Sequence, residues 1–491
     1  MSSNLIIPLA GYGKRFVNQG YKTLKPFLPV DQHNKMIDLI INNFPKEINK
    51  IFIVRNNLEK KYLVFLRKIK NSKIYFIKPH NYGPLYTLQA IKHKIIDMKK
   101  IYVSYCDINW TWKNNNKIDP NCNYVFCYEG YHPFTEDNNN YAFCKTSKSN
   151  IIQIKEKESF TNKWQKEPLS VGLFYYRNGQ DLVESANEVV KNNIKVNNEY
   201  FPSLSFNFLK KKKIKLVENF SHIGKPDYFE IYKKWRYFFL NKKVFLKNIK
   251  NYAFADELII PAAGLNKRFL SKNIKVLKFL IKLDEDKTPM IEFIKKYLKS
   301  KKKIILITLN QKKNLNKKFN VIPLIDKTKG QADTVFKILP TILPNKSLFI
   351  NSCDTFSLFD IKKFDSLKKN SDIIVFLTQN YETDSQTTEG SWVQITKNNK
   401  VEKVFLKSKK VKNSLRLTGN FYFKNKEIFE KCYNKSKNKL INNEIYIDGL
   451  IYYAIKMNLK VSALIDDAYI NMGTPKLLKE FNYWNKYFNE Q

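Results

Sequence analysis

Ile6-Ile7-Pro8-Leu9-Ala10-Gly11-Tyr12-Gly13-Lys14-Arg15-Phe16 stands near the start of the chain. Ile259-Ile260-Pro261-Ala262-Ala263-Gly264-Leu265-Asn266-Lys267-Arg268-Phe269 stands halfway along it. Each stretch is a short apolar run, a glycine turn and a lysine-arginine pair. A brief β-branched run closed by glycine reads as a buried strand feeding a turn. Its recurrence makes the chain a tandem of two like domains.

Other echoes keep the same order and a nearly constant spacing of about 250 residues. Lys25-Pro26-Phe27-Leu28 is matched by Lys278-Phe279-Leu280-Ile281, and Gly83-Pro84-Leu85-Tyr86-Thr87 by Gly330-Gln331-Ala332-Asp333-Thr334. Tyr105-Cys106-Asp107 is matched by Ser352-Cys353-Asp354, and the run around Gly172 by the run around Gly419. Asn198-Glu199 pairs with Asn443-Glu444, and Gly224-Lys225-Pro226 with Gly473-Thr474-Pro475. A unit of this length is too long for a solenoid repeat, so each copy is expected to bury its own core. The expected division is a first domain over 1–230, a basic aromatic bridge over 231–255, read as helical, and a second domain over 256–491.

The chain has 491 residues, 43% hydrophobic and 14% aromatic, which is ample for two cores. Its 87 lysines and arginines against 44 acidic residues give a net charge of +43. Such a field attracts nucleic acid or anionic surfaces. The charge is spread along the chain, however, and Lys, Asn and Ile are abundant together, as in an AT-rich coding sequence. Lysine runs of this kind are usually solvated faces, so nucleic acid is not an expected partner. The excess still suits polyphosphate ligands. No apolar window approaches the ~18 residues that span a bilayer, so no membrane insertion is expected. With no secretory pattern and only six cysteines, a reducing cytoplasm is the expected compartment. Cys122, Cys127 and Cys144 lie near His132 but lack the spacing of most structural zinc sites.

Strand candidates alternate with helical stretches. In the first half the strands are 5–9, 51–54, 74–77, 101–105 and 124–128; in the second they are 258–262, 304–308, 347–351 and 373–377. Helices are expected over 35–43, 85–97, 290–298 and 332–339. This alternation predicts an α/β fold with a mostly parallel sheet flanked by helices in each domain. Ligands of such sheets sit at the carboxyl ends of the strands. The glycine loops follow the first strand, and Asp107 and Asp354 close a later one, so all are expected at one sheet edge.

Glycines let backbone N–H groups approach an anion. Gly11-Tyr12-Gly13 is followed by Phe16 where a dinucleotide fingerprint needs glycine, and neither copy has the Gly-Lys-Ser/Thr of a Walker loop. What remains is a turn carrying Arg15 or Arg268, with Lys25 or Lys278 ten residues later. Two cations at a turn suit a triphosphate. An aspartate closing a buried strand suits Mg²⁺, which takes one or two carboxylates plus phosphate oxygens.

With these residues in view, each half resembles the sugar nucleotidyltransferases, which join a nucleoside triphosphate to a sugar 1-phosphate. The family pattern is a Gly-x-Gly-x-Arg loop, Lys-Pro, a Gly-rich segment, a metal-binding Asp, an Asn-Glu and a closing Gly-Thr-Pro. The resemblance covers nearly the whole chain and implies two tandem Rossmann-like, GT-A-like domains. It implies that Arg15 and Lys25, and Arg268 and Lys278, hold the triphosphate, while Asp107 and Asp354 hold Mg²⁺. Ala10, Gly11, Gly13 and Gly83, and Ala263, Gly264, Gly330 and Gln331, would contact the nucleotide. Lys157 and Lys407 would grip the sugar phosphate; Gly172, Glu199, Gly419 and Glu444 would meet the acceptor. The implied partners are an NTP and a phosphorylated sugar-like acceptor, and the implied role is surface glycan precursor synthesis.

Three departures stand out. His222 and Asn471 occupy the place of the family's second metal aspartate, Lys225 replaces the threonine of Gly-Thr-Pro, and Asn266 replaces the second loop glycine. Two rival readings are a glycosyltransferase of the related nucleotide-sugar fold, whose Asp-x-Asp motif is not formed by Asp107-Ile108-Asn109 or Asp354-Thr355-Phe356, and a nucleic-acid-binding protein resting on charge alone. A protein with one catalytic and one regulatory copy is a third organisation the sequence allows.

Overall fold

Leu5, Ile6 and Ile7 are consecutive and fully buried. A strand with both faces covered belongs at the centre of a sheet with parallel neighbours. The computed structural model describes residues 3–112, 117–135, 140–264, 266–283, 287–298, 304–309, 319–379 and 390–489. Leu265, inside the second quoted stretch, lies outside them. The chain divides into two compact units, Met1–Lys233 with Tyr487–Gln491, and Lys234–Lys486.

In the first unit the strands are β1 (Asn4–Pro8), β2 (Asn49–Arg55), β3 (Ser72–Ile77), β4 (Lys99–Ser104), β5 (Ile108–Thr111), β6 (Asn123–Tyr128), β7 (Ala142–Ser147), β8 (Asn150–Glu156), β9 (Leu169–Asn178), β10 (Lys212–Leu216) and β11 (Asn219–His222). The main sheet runs β3-β2-β1-β4-β9-β6-β10-β8-β7, and β5 pairs with β11 apart from it. Its core includes Leu182, Val183, Ala186 and Val189 of the helix Gly179–Lys191, which recur at helical spacing and face the sheet. Asn178 caps that helix by accepting the Asp181 N–H at 2.8 Å.

The second unit holds β12 (Glu257–Pro261), β13 (Ile304–Leu309), β14 (Phe319–Leu324), β15 (Leu348–Asn351), β16 (Thr355–Leu358), β17 (Ile373–Thr378), β18 (Gly390–Ile395), β19 (Val401–Ser408), β20 (Leu415–Phe423), β21 (Val461–Ile465) and β22 (Ala468–Asn471). Its sheet runs β14-β13-β12-β15-β20-β17-β21, with β18 on β19 and β20, and β16 pairs with β22. Over these seven strands the order repeats that of β3 to β10 in the first unit. Asn425 caps the helix Lys426–Ser436 as Asn178 does its counterpart.

The expectation of mostly parallel sheets is corrected: both sheets are mixed. β1, β2, β3 and β4 are parallel, but β9 lies antiparallel between β4 and β6. β20 does the same between β15 and β17. Parallel neighbours need a long crossover, usually a helix. Among the described residues no α-helix intervenes between β6 and β9, so those strands fold back on one another. A helix, Pro226–Asn248, runs through most of the region expected to bridge the repeats. Among the described residues no helix is long and apolar enough to cross a membrane.

Candidate functional site

The glycine loops leave the carboxyl ends of β1 and β12. Gly13 sits at φ 64° and ψ 31°, and Asn266 at φ 56° and ψ 27°, each just before a single helical turn. Asparagine tolerates this left-handed backbone better than other non-glycine residues, so the second loop keeps its shape without its second glycine. Phe16 and Phe269 are buried and anchor the turns, which leaves Arg15 and Arg268 exposed.

Lys25 Nζ lies 2.6 Å from Asp107 Oδ2, and Lys278 Nζ lies 2.8 Å from Asp354 Oδ2. Burial alone would raise the Asp107 carboxyl, but Lys25 and the nearby His222 hold it well below the usual carboxylate range. Burial likewise opposes the charge on Lys25, and Asp107 more than restores it, so the ammonium is raised. Lys278 is raised in the same way by Asp354. Burial pushes the Cys106 thiol up to about 12 and that of Cys353 up to about 11, so both stay protonated at neutral pH. Each is a small wall residue and not a nucleophile.

A register explains how residues over a hundred positions apart meet. β5 pairs with β11 so that Ile108 faces His222, and Ile223 N–H donates to the Asp107 carbonyl at 2.8 Å. β16 pairs with β22 so that Thr355 faces Asn471, and Met472 N–H donates to the Asp354 carbonyl at 2.9 Å. The ladder therefore carries His222 to Asp107, with Nε2 3.6 Å from Oδ2. Tyr141 Oη lies 3.3 Å from His222 Nδ1 on the other side of the ring.

One cleft in each unit gathers most of the expected residues. The first, of about 580 Å³, is lined by Ala10, Gly11, Gly13, Arg15, Lys25, Gly83, Asp107 and Glu199. The second, of about 560 Å³, is lined by Ala263, Gly264, Arg268, Lys278, Gly330, Gln331, Asp354, Lys407, Gly419 and Glu444. Backbone bonds join the segment after Gly83 to that after Glu199, and the segment after Gly330 to that after Glu444: Leu85 N–H donates to Tyr200 C=O at 3.1 Å, and Ala332 N–H to Ile445 C=O at 3.0 Å.

Lys157 and Gly172 are not among the residues lining the first cleft. A Cβ on Gly172 would lie 2.6 Å from the Tyr105 ring, so that ring covers the glycine expected to meet the acceptor. Gly419 is bordered by the much smaller Ser352, which leaves its backbone open to the second cleft. Lys157 Nζ sits 4.6 Å from the centroid of Phe201, a cleft-wall residue. Lys407 lies 4.1 Å from the Tyr446 centroid and 3.5 Å from Asp448 Oδ2.

Several wall residues escaped the sequence reading. Asp448 and Arg416 line the second cleft, where the corresponding positions in the first unit are Ser203 and Leu169. His80 lines the first cleft and accepts the Tyr82 N–H on Nδ1 at 3.1 Å. Lys225 follows the wall residue Gly224; burial lowers its ammonium, and the neighbouring Arg15 adds to this. Its only sequence signal was its departure from Gly-Thr-Pro. Glu156 was also missed: burial raises its carboxyl to about 7, although Ser203 donates to it and Lys157 is near.

The donor set fits a divalent ion shared with substrate. Among the described residues no group of three or more His, Cys, Asp or Glu could hold a metal by itself. A Cβ on Gly224 would lie 2.0 Å from Asp107 Oδ2 and 2.5 Å from His222 Nε2. A Cβ on Gly473 would lie 2.4 Å from Asp354 Oδ2 and 3.0 Å from Asn471 Oδ1. In both units, then, a glycine clears the space onto which two donor atoms converge. One or two carboxylates completed by phosphate oxygens is the arrangement Mg²⁺ favours, and each unit supplies one carboxylate there, Asp107 or Asp354.

No family model matches the chain. No curated protein matches it either. Among solved structures it is similar to the nucleoside-diphosphate-sugar pyrophosphorylase from Vibrio cholerae RC9, at 21% identity over 47% of this chain and 99% of that one, with a TM-score of 0.39. It is also similar to the inositol-1-phosphate CTP transferase from T. maritima, at 16% identity over 48% and 96%, with a TM-score of 0.37. A third is the CTP:phosphocholine cytidylyltransferase from Streptococcus pneumoniae, at 14% identity over 48% and 99%, with a TM-score of 0.37. Each match covers about half of the chain.

Proposed function

We propose that the two units are copies of one nucleotidyltransferase domain, over 1–230 and 256–491, and that each cleft transfers a nucleotidyl group from an NTP to a sugar 1-phosphate or related phosphate. The observation that carries this reading is the doubled constellation: a loop arginine, a buried lysine-aspartate pair and an Asn-Glu segment around one cleft in each unit. Arg15 with Lys25, and Arg268 with Lys278, would hold the triphosphate and neutralise it. A divalent ion at Asp107 or Asp354 would supply further charge neutralisation on the phosphates. Lys407, beside Asp448, would grip the acceptor phosphate in the second cleft; Lys157, behind Phe201, would do so less directly in the first.

An acceptor phosphate is already an anion at neutral pH. Its oxygen bonds to the α-phosphorus as the bond to the β-phosphate oxygen breaks, and pyrophosphate leaves. No general base and no covalent enzyme intermediate are needed, so catalysis is positioning and charge stabilisation. Supply of activated precursors for surface glycans is the role proposed for the product.

The test is pyrophosphate release from the folded protein with Mg²⁺, each NTP and a panel of sugar 1-phosphates. Release with at least one pair supports the reading, and silence across the panel refutes it.

A further inference from the structure

We propose that His222 is a metal ligand, so that the first unit prefers Mn²⁺ or a similar transition ion while the second, with Asn471 in that place, prefers Mg²⁺. The inference rests on the nucleotidyltransferase reading but concerns the ion and not the reaction. Three observations carry it.

The first is convergence. His222 Nε2 and Asp107 Oδ2 stand 3.6 Å apart across the space that Gly224 leaves clear. Two atoms each about 2.1 Å from a shared ion stand roughly 3.0 Å apart in octahedral and 3.4 Å apart in tetrahedral geometry. The observed separation is within a few tenths of that range, with Lys25 still seated on the carboxylate.

The second is the back of the ring. Nδ1 faces the Tyr141 hydroxyl at 3.3 Å. A ligating imidazole commonly engages an outer partner through its other nitrogen, which fixes tautomer and orientation. The contact to Tyr141 therefore holds the ring with Nε2 turned toward Asp107.

The third is the contrast between units. The same ladder position holds Asn471, whose Oδ1 already accepts the Gly473 N–H at 2.8 Å. Carboxylate and amide oxygens suit Mg²⁺, whereas an imidazole nitrogen in their place raises the affinity for transition ions relative to Mg²⁺. The two clefts would then be loaded by different ions.

The test is pulsed electron paramagnetic resonance on Mn²⁺ bound with inorganic tripolyphosphate, a probe that needs no knowledge of the base. Asp354→Ala restricts binding to the first cleft, Asp107→Ala restricts it to the second, and the double variant gives the background. Imidazole nitrogen modulation is expected in the Asp354→Ala protein and not in the Asp107→Ala protein. Adding His222→Asn, which installs the second unit's residue, removes the modulation while Mn²⁺ still binds. It also lowers the Mn²⁺/Mg²⁺ affinity ratio of the first cleft by about tenfold or more. Bound Mn²⁺ without nitrogen modulation in the first cleft, or modulation that survives His222→Asn, overturns the inference and leaves the nucleotidyltransferase reading standing. Binding no stronger than background in either cleft overturns both.

Discussion

Asp107→Ala should destabilise the first unit far more than the Lys25–Asp107 pair stabilises it. At 2.6 Å the pair attracts by about 6 kcal/mol at an effective dielectric of ~20. Desolvation opposes this by several kcal/mol for each ion. The side chains are only 22% and 12% exposed, so solvent relieves little of that penalty. The intact pair therefore contributes little net stability. Removing the carboxylate leaves a buried ammonium without its partner, at a cost of roughly 3–5 kcal/mol. Lys25→Met with Asp107→Leu removes both charges and should return to within about 1 kcal/mol of the parent, or exceed it. Hydrogen exchange of the β4 and β9 amides reports the first unit alone. The pH dependence follows from the shift: the folded Asp107 lies below its ordinary 3.8, so its contribution is full above that value and is lost as the pH falls through the folded one. An Asp107→Ala protein within 1 kcal/mol of the parent, or a double variant as unstable as the single, would refute the reasoning.

Further outcomes can be checked separately. Glu156 holds its proton to about pH 7 in the folded state against 4.5 unfolded, so stability falls as the pH rises between those values; Glu156→Gln should abolish that fall and stabilise at pH 8 by up to about 3 kcal/mol in urea titrations. Gly172→Ala places a Cβ against Tyr105 at a φ of 84°, which combines overpacking and left-handed strain for a loss of about 2–5 kcal/mol, and Tyr105→Ala should recover part of it in thermal melts. Asp107→Ala and Asp354→Ala, assayed separately for pyrophosphate, should each silence one cleft; unchanged release in both would detach these carboxylates from the chemistry. Arg416→Leu should weaken acceptor binding in the second cleft, raising the acceptor KM with little change in kcat, whereas an unchanged KM would exclude a role for the guanidinium.

The loops, the lysines and the strand-end aspartates were legible in the sequence because each sits in a short local pattern next to a buried strand. Their meeting at one sheet edge followed from parallel β1 and β4. The antiparallel half was not legible. β10 reads Lys-Lys-Ile-Lys-Leu, and such lysine-rich strands hide their alternation among the lysines of the surface. The pairing of Asp107 with His222 depends on the register of β5 on β11, which no local pattern encodes. The closing of Gly172 depends on the size of Tyr105, a residue adjacent to a motif but not part of it. The helix expected over 85–97 breaks at Ile91, whose φ of −119° and ψ of 23° separate Pro84–Gln89 from Lys92–Ile95. Tertiary packing decides such breaks more than propensity does.

A crystal of the protein soaked with Mg²⁺ and mixed NTPs tests the central claim most directly. The account predicts triphosphate density in each cleft, against Arg15 and Lys25 in one unit and against Arg268 and Lys278 in the other. Nucleotide bound elsewhere, with both glycine loops bare, would contradict it.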